Sequence, residues 1–205
     1  MIKLGVMAVL VLAFVSFQFG TGILAIDDTV SSIAPNNQQP ESQSQQNAAG
    51  VNTTNVERLV HQEINERRTA NDLAPITYDP TLASIAADHS EDMVERDFFA
   101  HENPDGDDFA DWYDHAGYDC RVATGDGTYV TCGENIAQTW WEEQITTDRG
   151  TVSYQTEAEL AEGIVNQLMN STGHREKILT EYWESEGIGI AFTDDDEVLV
   201  TQNFC

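Results

Sequence analysis

Lysine is almost missing from this chain: Lys3 and Lys177 are the only two, and with seven arginines they make nine cationic residues against 36 acidic ones. The formal net charge is −27 and the sequence pI about 4.1. Binding to a phosphate backbone needs clustered Lys and Arg, so this shortage excludes a nucleic-acid partner and leaves nothing to hold a sheet of anionic lipid. Cysteine is scarce as well. The three present include no C-x-x-C pair, which speaks against a thiolate metal site. No D-x-D-x-D-G calcium loop, no G-x-S-x-G elbow and no internal repeat is found.

What remains is enough for one core, since 40% of the 205 residues are hydrophobic and 9% aromatic, well above a disordered acidic chain. Carboxylates spread over the whole sequence fit a surface solvated in concentrated salt. At molar ionic strength the Debye length falls to about 3 Å, which screens the self-repulsion of such a charge. The expectation is a halophile's protein.

Leu4 to Ile26 form an apolar run behind Lys3 and ahead of Asp27-Asp28. Residues 1–26 therefore read as an N-terminal membrane anchor or a signal peptide. Their length matches the ~20 residues of a spanning helix better than a shorter signal core, and either reading places the remainder outside the cell. Residues 27–52, rich in Gln, Asn, Ser and Pro, cannot bury enough apolar surface to offset ordering and read as a flexible polar tether. Residues 53–205 form the domain.

Within it, Thr54-x-x-Glu57 reads as a capping box, and Val56, Leu59, Val60 and Ile64 recur at helical spacing up to about Ala70. Asp79-Pro80 is a second helix start, with Leu82, Ile85, Ala86, His89 and Met93 on one face. A short helix from Phe109 stops at Gly117. Tyr118 to Trp141 reads as loop and hairpin. Another helix spans about Glu157 to Asn170, and His174 to Leu179 continues as a helical piece. Gly187–Phe192 and Glu197–Thr201 form a hairpin around an acidic tip at Asp194-Asp195-Asp196. Helices flanking a small antiparallel sheet make an α+β fold.

Four segments carry the chemistry: Phe98-Phe99-Ala100-His101 with Pro104-Asp105-Gly106; Gly133-Glu134-Asn135-Ile136-Ala137; Asn170-Ser171-Thr172-Gly173-His174-Arg175; and Gly187-Ile188-Gly189-Ile190-Ala191 with Thr201-Gln202. In this order and spacing, from Val56 to Cys205, they resemble the CAP superfamily (cysteine-rich secretory proteins, antigen 5, pathogenesis-related 1), in its prokaryotic SCP-domain branch. The resemblance implies an α-β-α sandwich with a solvent-open cleft in which His and Glu side chains converge and can hold a divalent metal, often zinc. It matches His101 to the family's first histidine and Glu134 to the glutamate of the G-E-N motif. The second glutamate falls near Ser171, with Leu168 at the family's tryptophan, and the second histidine falls on Leu199, so the full tetrad cannot form. The resemblance places His174 in the same cleft.

His101, Glu134 and His174 are the candidate metal ligands, two imidazoles and a carboxylate of the kind that binds Zn²⁺ with one position open to water. The alternative is a set of hydrogen bonds that fixes three loops. His89 reads as a hydrogen-bonded core histidine, and His61 and His115 as surface helix residues. Among Cys120, Cys132 and Cys205, three pairings are possible; Cys120–Cys205 has the advantage of tying down a terminal strand. Asn52-Thr-Thr54 in the tether and Asn170-Ser-Thr172 match the glycosylation acceptor pattern. The expected function is a cell-surface or extracellular binding module for a lipid, a peptide or a cell-envelope ligand, touching a membrane only through its N-terminal segment. The alternatives are a metal-dependent hydrolase with Glu134 as general base, and a structural envelope protein.

Overall fold

Helix α1 (Thr53–Ala70) begins at Asn52, whose extended backbone (φ −84, ψ 98) and side chain, accepting from the Asn55 amide at 3.1 Å, make it the N-cap. This corrects the Thr54–Glu57 capping box. Glu57 belongs to the first turns of the helix, where burial raises its pKa and the nearby Ile190 backbone lowers it. Asn52 also donates its backbone N–H to Glu157 Oε1 at 2.8 Å, and the Asn55 side-chain amide bonds the other Glu157 oxygen, so two distant helix starts are tied together. The glycosylation pattern at Asn52 therefore falls on a helix cap, and Val51 before it is buried. The structure, a computed structural model, describes residues 50–147 and 150–205; the anchor or signal segment and the tether up to residue 49 lie outside the described residues.

Val56, Val60, Ile64 and Arg68 form the buried stripe of α1 at four-residue spacing. Helix α2 (Pro80–Glu95) is capped by Asp79, which accepts from the Thr81 and Leu82 amides at 2.7 and 3.2 Å, with Pro80 opening the first turn. Helix α3 (Phe109–His115) has a capping box between Asp108 and Asp111 and ends before Gly117 at φ +66, a left-handed position suited to glycine. Helix α4 (Glu157–Asn170) has its own capping box between Thr156 and Glu159, and α5 (Thr172–Ile178) follows at once.

Strands β1 (Thr77–Tyr78), β4 (Gly133–Trp140), β7 (Ser185–Phe192) and β8 (Glu197–Phe204) form one sheet in the order β1-β7-β8-β4. β1 runs parallel to β7, while β7–β8 and β8–β4 are antiparallel. Two small hairpins, β2 (Val122–Ala123) with β3 (Tyr129–Val130) and β5 (Ile145–Thr147) with β6 (Gly150–Val152), lie outside it. The 118–141 stretch is thus corrected: it holds a hairpin, but also β4, an eight-residue strand of the main sheet.

The register sorts the side chains between two faces. Gly187 and Gly189 face α2 so closely that an added Cβ would meet the Ala83 and Ala87 backbone nitrogens at 2.1 Å. Opposite them on the same face stand Asn203 and Thr201 of β8 and, one strand further, Glu134 and Ile136 of β4. The other face presents Glu186, Ile188 and Ile190 of β7, Gln202 and Val200 of β8, and Asn135 and Ala137 of β4, with α1, α4 and α5 packing on this side of the molecule. The core joins Val60, Ile64, Leu160, Ile164, Ile188 and Phe204. This is the α+β layering expected from the sequence.

A disulfide joins Cys120 to Cys205 across 85 residues, and Cys132 is free. Among the described residues no helix is long and apolar enough to cross a membrane.

Candidate functional site: a buried carboxylate under two histidine segments

Gly133 opens β4 beneath Trp183, whose ring carbon would lie 2.9 Å from a Cβ there, so only glycine lets the indole lie on the strand. The Trp183 indole N–H donates to the Lys177 carbonyl at 3.0 Å, and the Lys177 ammonium donates to the Glu134 carbonyl at 2.7 Å. These two bonds pin the end of α5 onto the first residues of β4. Lys177 is the only lysine among the described residues, and burial lowers its pKa while Glu134 opposes that shift.

Glu134 is fully buried. One carboxyl oxygen lies 2.6 Å from His101 Nδ1, and the other has no hydrogen-bond partner among the described residues. Burial raises the carboxyl's pKa; His101 and Lys177 pull it back, and Asp108 pushes it further up. Directly across the strand pair stands Asn203, also fully buried, with neither its amide oxygen nor its amide nitrogen paired. Most buried polar atoms in folded proteins find partners, and each one left without costs roughly 1–3 kcal/mol. Among the described residues three such atoms without a partner thus stand on neighbouring side chains of one face, Glu134 Oε2 and both polar atoms of the Asn203 amide.

His174 stands on α5, half-buried, where its carbonyl accepts from the Asn135 side-chain amide at 3.3 Å. Burial lowers its pKa, and the charges of Lys177 and His101 lower it further. His101 thus meets Glu134 directly, whereas His174 reaches the same end of β4 through Asn135 and electrostatics, without a bond to either.

A second polar array crosses the opposite face. His61 Nδ1 meets Glu186 Oε1 at 2.6 Å; Gln202 donates to Glu186 Oε2 at 2.6 Å; and Asn135 donates to Gln202 Oε1 at 3.1 Å. This corrects the reading of His61 as a surface residue, since its partner lies 125 residues away on β7. His89 is the core histidine expected, 3% exposed and stacked on Trp112 at 3.8 Å. His115 is exposed.

Comparison with known proteins gives this arrangement its family. The profile described as "CAP: Cysteine-rich secretory protein family" matches residues 61–204, which include every segment above. The chain belongs to the CAP family. It is similar to the "Uncharacterized membrane protein YlbC" of Bacillus subtilis (strain 168), 25% identical over 166 residues, or 81% of this chain and 38% of that one. A solved extracellular protein containing a SCP domain from Bacillus anthracis str. Ames has 23% identity and a TM-score of 0.52, covering 74% of this chain and 40% of the other. An outer surface protein from Borrelia burgdorferi superposes with a TM-score of 0.56 at 16% identity, covering 75% of this chain and 94% of the other. The CAP chain therefore spans less than half the length of these Bacillus subtilis and Bacillus anthracis proteins.

In this CAP domain the two remaining tetrad positions are closed to metal chemistry. Leu199 is buried against Met93 and Ile136, and Ser171 ends α4 as its C-cap. The divalent metal implied by the resemblance meets a poor fit: among the described residues no three His, Cys, Asp or Glu side chains stand close enough to share an ion. His101 and Glu134 form a pair, not a trio. Asn203 escapes sequence reasoning altogether. Its signal is an amide inside an otherwise strand-forming run, Glu197 to Phe204, two residues after Thr201 and therefore on the same face.

Proposed function

We propose that this CAP domain is an extracellular or cell-surface binding module whose recognition centre is the polar cluster of His101, Glu134, Asn203 and the His174–Lys177 end of α5. The observation that carries the reading is the set of three unpaired buried atoms on Glu134 and Asn203. A ligand with a donor for Glu134 Oε2 and a donor–acceptor pair for the Asn203 amide would satisfy all three at once. Hydroxyl and amide groups, as in cell-envelope sugars and peptides, offer that combination. The extracellular placing is supported by the disulfide, which persists in oxidising compartments, and by relatives described as extracellular, outer-surface or membrane proteins. A divalent cation belongs to the proposal only as part of such a ligand, since His101 and Glu134 alone offer too few donors.

Native mass spectrometry on protein purified from its source without chelator tests this reading, with elemental analysis beside it. Wild type should carry a bound small molecule, or a ligand with its ion, that a Glu134→Gln/Asn203→Leu double variant lacks. Equal content in both proteins would reduce the cluster to a water-filled structural feature. Proteolytic shaving of intact cells should release fragments of 50–205, and full protection would defeat the extracellular placing. The halophilic reading rests on the charge of −27 and is checked by dialysis into low-salt buffer, which should abolish the far-UV signal of the fold.

A further inference from the structure

Between α2 and α3 lies a second groove of about 500 Å³ that contains neither His101 nor Glu134. Its α2 wall carries Asp88, Glu91 and Glu95, all spaced along one side of the helix, and Asp107 faces them from the loop before α3. The one cation in the wall, Arg96, is engaged twice, with its Nε 2.6 Å from Asp92 and its Nη1 2.6 Å from Asp105. Among the described residues the other four carboxylates have no basic partner. An acidic wall by itself is only a solvated surface.

The second observation is His89, which lines the same groove although its relative exposure is only 3%. Its Nε2 lies 3.2 Å from the Ala100 carbonyl, which can only accept, so the ring hydrogen sits on Nε2 and Nδ1 is a bare acceptor. Among the described residues that Nδ1 has no hydrogen-bond partner. Burial lowers the imidazole pKa to about 4, which keeps the ring neutral and Nδ1 an acceptor at neutral pH. The ring is held by its stack on the Trp112 indole, itself half-buried in the groove wall.

We propose that this groove binds a primary alkylammonium group, whose N–H donors serve His89 Nδ1 and the carboxylates while its alkyl chain lies along the Trp112 indole. Each part of the groove selects one part of that ligand. The carboxylates select positive charge, the bare Nδ1 selects an N–H over a quaternary ammonium, and the indole selects an organic cation over a hydrated metal ion. A metal is further disfavoured because no three ligand side chains among the described residues converge. Free diamines and lysine side chains on another protein both present this group.

The experiment is calorimetric titration of the full chain, in salt at which circular dichroism shows it folded, with putrescine for the free amine and Nα-acetyl-lysine amide for the side chain. Choline is the control without N–H donors. Saturable binding of putrescine identifies a free-amine site, and binding of the lysine amide identifies a side-chain site; choline should bind neither tightly nor competitively. A Glu91→Gln/Glu95→Gln variant with an unchanged melting temperature should bind about tenfold more weakly, the equivalent of ~1.4 kcal/mol. The proposal is overturned if neither amine binds, if choline binds equally well, or if the folded double variant binds as wild type does.

Discussion

The two faces of the sheet solve the same packing problem in opposite ways. Toward α2 the strand β7 offers almost no side chain: Gly187 and Gly189 bring helix and strand backbones together, and the polar groups there, Glu134 and Asn203, are left incomplete. Toward α1 the same strand offers Glu186, Ile188 and Ile190, and a hydrogen-bonded array runs from His61 to Asn135; among the described residues the Asn135 amide oxygen and, further along β4, the Thr139 hydroxyl are left over on that side. That face resembles a core with a polar seam. On the other face, close glycine contact fixes the separation of α2 from β7.

The largest test of this contrast is Gly187→Ala. Its Cβ would stand 2.1 Å from the Ala83 nitrogen and 2.2 Å from the Leu82 carbonyl carbon, and because backbone atoms cannot turn aside, α2 must lift. A loss of about 3 kcal/mol or more is expected in denaturant unfolding, and Gly189→Ala should match it. A loss below ~1 kcal/mol would show that α2 floats on the sheet and that the α2 face is not rigid.

On the opposite face the corresponding test is Arg68→Met. The fully buried guanidinium donates to the carbonyls of Ala74, Ile178 and Thr180, at 3.0, 2.6 and 2.8 Å, and lies in the field of Glu186. Removing it orphans those three carbonyls and withdraws a positive charge from Glu186, which keeps its bonds to His61 and Gln202, at a cost of roughly 3 kcal/mol. An unaltered denaturation midpoint would mean that water replaces the guanidinium and that this face is looser than its hydrogen bonds suggest.

A smaller effect is expected from the start of the domain. A chain beginning at Thr53 loses the Asn52 cap, worth about 1 kcal/mol, and the burial of Val51, worth about another 1.5 kcal/mol. Its midpoint should fall below that of a chain beginning at Gly50. Equal midpoints would return the boundary to residue 53.

The smallest effects are of opposite sign with pH. His89 on the α2 side has a pKa lowered to about 4, so its neutral form stabilises the fold above the unfolded value near 6.5, and that contribution is lost as pH falls toward 4. Glu57 on α1 has a pKa raised to about 7 by burial, so its contribution is present below about 4.5 and is lost as pH rises through 7. His89→Gln should flatten the acid limb of a melting-temperature profile, and Glu57→Gln the alkaline limb. If either substitution moved the other's limb, the two groups would be coupled through the sheet.

Local signals make the helices legible. Asp79-Pro80 and the spacing of Leu160, Ile164 and Leu168 need no knowledge of distant partners, and α2 and α4 lie where that spacing puts them. β4 is not legible because both of its faces are buried and the polar residues of the site interrupt the alternation that marks a half-exposed strand. The cap of α1 is concealed for a related reason: Asn52 is selected by Glu157, 105 residues away, and Thr54 is merely the nearer residue of the right type. His61 and Asn203 stay hidden because each draws its meaning from a cross-strand or cross-layer neighbour. In the site, His101 and Glu134 are readable from their motifs, whereas the standing of His174 depends on how α5 meets β4.

The strand order has a temporal meaning. β8 lies between β7 and β4 and is synthesised after both, and β4 pairs with no other strand of the sheet. Until residues 197–204 have left the ribosome, β4 has no hydrogen-bonding neighbour within the described sheet and Glu134 has no Asn203 opposite it. The sheet closes in one late step, when β8 inserts and Cys205 comes within reach of Cys120.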